Sequence, residues 1–208
     1  MIELLPDDQV REAYRRTCQS VLDLLAATPE SSSSLIVPAC PDWTVQQTVA
    51  HLIGVPEDLM AGRTDGITSD EWTNAQVQRH AGETLAQLRD TLATTAARFE
   101  ERLAVIPAPA NSQLVMDALT HEIDLREALG LEYEESSLAL SVARAWLVDL
   151  IARRDPPTAD RCLECDCSDL DLVRALSGRR SSGQIDALGL PGAQIVAALA
   201  GTPLRPPT

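Results

Sequence analysis

Apolar positions recur at three- and four-residue intervals along most of the chain. After Pro6-Asp7-Asp8, the positions Val10, Tyr14, Cys18, Val21, Leu22 and Leu25 keep this rhythm and predict a first helix running to about residue 28. Residues 31–34 are all serine and predict a polar loop, and Pro38-Ala39-Cys40-Pro41 holds the backbone extended. Thr44 followed by Gln47 has the form of a capping box and predicts a second helix over 45 to about 53, weakened by Gly54 and Pro56, with a short continuation to 61. A loop over 62–68 precedes two helical patterns, 70–80 and 83–104, divided near Gly82. Pro107 and Pro109 end this region. Asn111 predicts the cap of a helix over 112–129 that Gly130 closes, and a fifth helix over 137–154 is stopped by Pro156-Pro157.

Beyond the two prolines the texture changes. Residues 161–167 alternate like a strand, 169–176 read as a short helix, 184–188 as a second strand and 193–199 as a last short helix. The expected fold is mainly α: an up-and-down helical bundle over 1–155 with a small C-terminal α+β annex over 158–208.

Composition agrees with helices. Hydrophobic residues make up 45% of the 208 and aromatics only 3%, so the core is built from Leu, Val, Ile and Ala rather than the aromatic side chains that strands favour. The net charge is -14, and all 17 basic residues are Arg. An acidic chain without a basic run is unsuited to nucleic acid and to an anionic membrane surface. No apolar run reaches the length of about 20 residues that spans a bilayer, and the acidic start lacks the form of a signal peptide. The expectation is a cytoplasmic protein, and the absence of Lys fits a GC-rich, actinobacterial source. Five Cys, an odd number, are expected as free thiols in a reducing compartment.

The candidate chemistry centres on histidine, of which there are three. His51 falls in the second predicted helix. His121 falls in the 112–129 helix with Asp117 four residues earlier, so both side chains share one face. If these two helices pack side by side, His51, Asp117 and His121 form a set of two imidazoles and one carboxylate. Such a set suits zinc or nickel and leaves a coordination position open for water or substrate. The alternative is that each histidine is an ordinary hydrogen-bonded residue at a helix boundary.

Two segments point beyond spacing. Val37-Pro38-Ala39-Cys40-Pro41-Asp42-Trp43-Thr44-Val45 with Val49-Ala50-His51-Leu52 resembles one signature of the mycothiol-dependent maleylpyruvate isomerase family, within the wider DinB-like helical bundles. Residues 116–130, from Met116 through His121 to the ending Asp124-Leu125-Arg126-Glu127-Ala128-Leu129-Gly130, resemble the second. The resemblance covers 35–130 well and 158–208 loosely. It implies a DinB-like four-helix bundle whose metal ligands are His51, Asp117 and His121. Asp117 stands where the best-characterised isomerase has Glu, one methylene longer.

The resemblance also implies a function. A divalent metal, with mycothiol as cosubstrate, would serve isomerisation of a small electrophile such as maleylpyruvate, or transfer of the thiol to one. Alternatives are a non-catalytic metal- or small-molecule-binding module and, with less support, an interaction protein.

Further residues carry two readings each. Gly178-Arg179-Arg180 resembles a Gly-Arg element of the family's C-terminal region, so Arg179 and Arg180 are candidates to clamp a substrate carboxylate, against a solvated turn. Cys162, Cys165 and Cys167 are either a soft-metal cluster or ordinary thiols. Cys40 and Trp43 are expected as packing residues near the end of the bundle, His80 as a solvated face residue, Asp124 and Arg126 as a local ion pair, and 132–135 as a solvated loop.

Overall fold

Asp7 and Asp8 put two carboxylates in the first turn of α1 (Asp7–Ala27), where the positive end of the helix dipole favours them. A single turn of 3-10 helix over Glu30–Ser32 follows, then a two-stranded antiparallel ribbon of β1 (Ile36–Val37) and β2 (Cys40–Thr44). The computed structural model describes residues 2–133, 137–204 and 206. The remaining elements are helical: α2 (Val45–Ala61), α3 (Asp70–Arg79), α4 (Leu85–Leu103), α5 (Ala110–Ala128), α6 (Leu138–Arg154), α7 (Pro156–Leu163), α8 (Asp169–Leu176), α9 (Ser182–Ala187) and α10 (Gly192–Leu199). The fold is mainly helical and consistent with a helical bundle.

The ribbon pairs Ile36 with Thr44 and Val37 with Cys40. Its last residue is also the N-cap of α2, so strand and helix share one fixed joint. The helix runs past Gly54 and through Pro56 to Ala61, so the expected stretch and its continuation form one helix. Packing explains Gly54: a Cβ there would fall 2.3 Å from the Cβ of Gln76 on α3, so only glycine lets the two helices approach this closely.

Contacts divide the chain into two compact units. One comprises Tyr14–Pro107 and His121–Tyr133. Its core includes Val21, Val49, Ile53, Leu88, Leu92, Phe99 and Leu103, with Tyr14 tilted against Phe99 at 5.5 Å between ring centroids. The other comprises the described residues of Met1–Ala13, Ala108–Thr120 and Glu134–Thr208. Here Leu140, Leu147, Ile151, Leu176, Ile185 and Ile195 are buried, with α7 and α8 packed on α6 and α9 on α10.

The C-terminal region departs from the α+β expectation. Residues 161–167 and 184–188 do not form strands; they contribute to α7 and α9. The reason is capping. Asp155 accepts from the backbone of Thr158 (3.3 Å) while Pro156 and Pro157 occupy the first helical positions, so the prolines that end α6 also start α7. Ser181 and Gln184 form a capping box that starts α9. Alternation over so few residues also fits one face of a short amphipathic helix. Of the expected 132–135 loop, Glu132 is exposed, and Glu134 and Glu135 lie outside the described residues.

Candidate metal centre

The capping box at Thr44 is complete. The Gln47 backbone N–H donates to Thr44 Oγ1 (3.3 Å), and the Thr44 backbone N–H donates to Gln47 Oε1 (2.8 Å). It fixes where α2 begins and therefore which face His51 occupies, about two turns on. His51 is 5% exposed and His121, on α5, is 6% exposed. Their rings meet edge to face, with centroids 4.9 Å apart and planes at 81°. Trp43, delivered by β2, covers both rings at 5.0 Å from His51 and 5.7 Å from His121.

Each histidine has an oxygen beside its Nδ1. Gln76 Oε1 lies 2.8 Å from His51 Nδ1. Asp124 Oδ2, fully buried, lies 3.3 Å from His121 Nδ1, and the Cys40 thiol donates to the same oxygen at 3.8 Å. Asp117 precedes His121 by one turn. Both lie on α5, whose geometry puts residues four apart on one helix face.

Among the described residues, two groups offer ligand atoms that all lie within 4.8 Å of one another. One is His51, Asp117 and His121. The other is Cys40, His121 and Asp124, which shares His121 with the first. The first fits a borderline divalent ion by its donors, two imidazoles and a carboxylate. At His51 it also fits by its surroundings, since a ligating imidazole characteristically has an acceptor at its other nitrogen and Gln76 Oε1 stands there.

The family described as mycothiol maleylpyruvate isomerase N-terminal domain matches residues 14–133, more than half of the chain. The chain belongs to this family. No curated protein and no solved structure matches it. The matched stretch holds His51, Asp117, His121, Trp43, Cys40 and Gln76, so all of the candidate centre lies within the family domain. Arg179 and Arg180 lie beyond it, in the turn after α8, both half-buried. Arg179 donates to the Ser177 carbonyl (2.8 Å) and Arg180 to the Arg179 carbonyl (3.1 Å). No helix among the described residues is long and apolar enough to cross a membrane.

Several neighbours differ from the sequence expectation. His80 is buried, not solvated: its Nδ1 lies 2.9 Å from Glu83 and its Nε2 3.2 Å from Glu57. Arg126 pairs with Glu122 (3.0 Å) rather than with Asp124, because residues four apart share a helix face and residues two apart do not. Burial pushes the Glu122 carboxyl above the usual carboxylate range, against the lowering effect of hydrogen bonds from Ser20 and Arg126. Cys165 and Cys167 are joined as a disulfide, their Cα atoms 5.4 Å apart across one intervening residue, so the expectation of five free thiols fails there. Cys162 is free and buried on α7, which leaves no three-cysteine cluster.

Spacing did not single out Gln76 or Asp58. Asp58 is 2% exposed and Gln76 fully buried. Asp58 has a faint signal, as an acidic residue late in an otherwise apolar helix. Gln76 has none. The place of Asp124 beside His121 was available from their three-residue separation on one helix.

Proposed function

We propose that this chain is a divalent-metal-dependent enzyme that uses a low-molecular-weight thiol, mycothiol, on a small electrophile. His51, Asp117 and His121 hold the ion, zinc first and nickel second, in a DinB-like bundle. The observation that carries this reading is that these three residues each offer a ligand atom within 4.8 Å of the others, inside a family domain whose name couples mycothiol to maleylpyruvate isomerisation.

When bound, a divalent ion with three protein ligands supplies Lewis acidity that keeps a thiol as thiolate near neutral pH. The protein's own residues do the rest. His51 and His121 would present imidazole nitrogens from rigid helices, Asp117 would add a carboxylate oxygen, and Trp43 covers both rings. Arg179 and Arg180 are the proposed clamp for a substrate carboxylate. For maleylpyruvate, the thiolate adds to the cis double bond and the adjacent carbon takes a proton. The new single bond turns; loss of that proton and of the thiolate then gives the trans product. For S-transfer, the thiolate displaces a leaving group and stays on the product. Both reactions suit a cytoplasmic protein with small-molecule partners.

A second reading, a non-catalytic metal-binding module, draws on the burial of both histidines, 5% and 6% exposed. One experiment separates the two. Purified protein and His51→Ala are analysed for metal, then the metal-loaded protein is incubated with mycothiol and maleylpyruvate or a chlorinated electrophile. Stoichiometric metal in the wild type alone, with turnover, supports the enzyme. Metal without turnover supports the module, and no metal sinks both.

A further inference from the structure

A chain of hydrogen bonds, buried from Asp58 inward, runs from two partly exposed arginines to the imidazole of His51. Asp58, near the C-terminal end of α2, accepts from Arg63 Nε and Arg79 Nη2 at its Oδ1, each at 2.6 Å. Its other oxygen, Oδ2, accepts from Gln76 Nε2 at 2.9 Å. Gln76 Oε1 then faces His51 Nδ1 at 2.8 Å.

Donor and acceptor chemistry allows one assignment of this chain. A carboxylate held by two guanidinium groups accepts only, so the amide of Gln76 must turn its NH2 to Asp58. Its carbonyl oxygen is then the group that faces His51. A carbonyl oxygen cannot donate, so His51 Nδ1 must carry the proton, and the lone pair of the neutral ring resides on Nε2. The flipped amide would set oxygen against oxygen at Asp58, whichever tautomer His51 took. Inside a protein that mismatch costs far more than in water.

We infer that Asp58 and Gln76 are positioning residues that lock His51 as its Nδ1–H tautomer and so present Nε2 for coordination. The proposal deepens the metal reading and rests on it for its purpose, though not for the tautomer itself. Gly54 serves the same lock by leaving room for Gln76. Asp58 acts without touching His51. Its charge, neutralised by Arg63 and Arg79, decides the orientation of an amide, and the amide decides which ring nitrogen is basic.

Asp58→Asn is the decisive variant, because it keeps the shape and can keep Oδ1 on the two arginines. The new NH2 then stands where Oδ2 stood and faces Gln76. The Gln76 amide flips to accept it and turns its own NH2 toward His51, which moves the ring proton to Nε2. Nitrogen-15 NMR of the imidazoles, on metal-free full-length protein, reads the tautomer directly. The expected result is Nδ1–H in the wild type and a shift to Nε2–H in Asp58→Asn and Gln76→Met. Gln76→Glu, which still accepts from His51, retains Nδ1–H. Competitive chelator titration is expected to show about a 10- to 100-fold loss of metal affinity in the two variants that move the proton. Folding of each variant is checked by circular dichroism.

An Nε2–H tautomer in the wild type overturns the inference, as does a folded Asp58→Asn and Gln76→Met pair with unchanged tautomer. If the wild type shows Nδ1–H but takes up no metal, the lock stands and the metal reading alone fails.

Discussion

The rings of His51 and His121 meet edge to face at 4.9 Å between centroids, although one belongs to α2 and the other to α5. A T-shaped imidazole pair roofed by Trp43 brings two candidate nitrogen ligands to one place, and Asp117 offers an oxygen one helical turn from His121. Removing either ring should therefore abolish stoichiometric metal uptake. His51→Ala and His121→Ala are expected to fold yet bind no zinc by plasma emission analysis. Asp117→Glu, with one more methylene, is expected to retain metal, and Asp117→Ala to lose it. Full metal content in Asp117→Ala would remove the carboxylate from the ligand set.

The contact between Gly54 and Gln76 leaves no room for a methyl group. A Cβ at 54 would stand 2.3 Å from the Gln76 Cβ and 2.6 Å from its Cγ. Because the first of these sits at the backbone, α3 must shift to relieve it. Gly54→Ala is expected to cost about 1–3 kcal/mol in urea denaturation, by overpacking, despite alanine's better helix propensity. A stability equal to or above wild type would count against this packing.

Thr44 joins the ribbon to α2. Thr44→Ala removes the side-chain acceptor for the Gln47 N–H and is expected to destabilise by about 1 kcal/mol, while Thr44→Ser keeps most of it. Guanidinium melts of the three proteins check this. Because the same joint places Trp43 on the two histidines, Trp43 fluorescence is expected to change in the alanine variant.

Burial sets an alkaline limit on stability. It pushes the Cys18 thiol from 9.0 up to about 12, against the lowering effect of a hydrogen bond with Tyr14 and with smaller rises from Glu122 and Glu100. Cys162 is pushed from 9.0 up to about 11, again by burial, with Arg144 working against it. Between the ordinary value and the raised one, the folded chain keeps a proton that the unfolded chain gives up. The folded state is thus fully favoured by these thiols below about pH 9 and loses that advantage as pH rises. The melting temperature of the wild type is expected to fall more steeply between pH 8.5 and pH 10.5, values chosen to span roughly the ordinary thiol range, than that of Cys18→Ala/Cys162→Ala. Parallel curves would refute it. At neutral pH, half-buried Cys40 is expected to react with a thiol reagent before Cys18 or Cys162.

Local signals in the sequence determined most of the helices. The rhythm from Val10 to Leu25 marks α1, the Thr44–Gln47 box marks the start of α2, and Ser137 caps α6. These signals are legible because a cap or an amphipathic face involves residues within a few positions of one another. Asp117 and His121 were legible for the same reason, being one turn apart on a single helix. The family signatures added His51, which spacing alone left open.

Tertiary structure decided what depends on distant partners. Residues 161–167 alternate as a strand would, yet Asp155 and two prolines start a helix there, and short alternation carries too little information to oppose a cap. His80 looked solvated because Glu83 is its only near partner in sequence, while Glu57, which closes the other side of the ring, comes from the distant α2. Gln76 had no signal at all. Its role arises because α3 packs on α2 at Gly54, and a buried amide must satisfy whichever donors and acceptors that packing brings to it. The sequence supplied the ligands of the candidate centre; the packing of α3 on α2 supplied the polar chain behind His51.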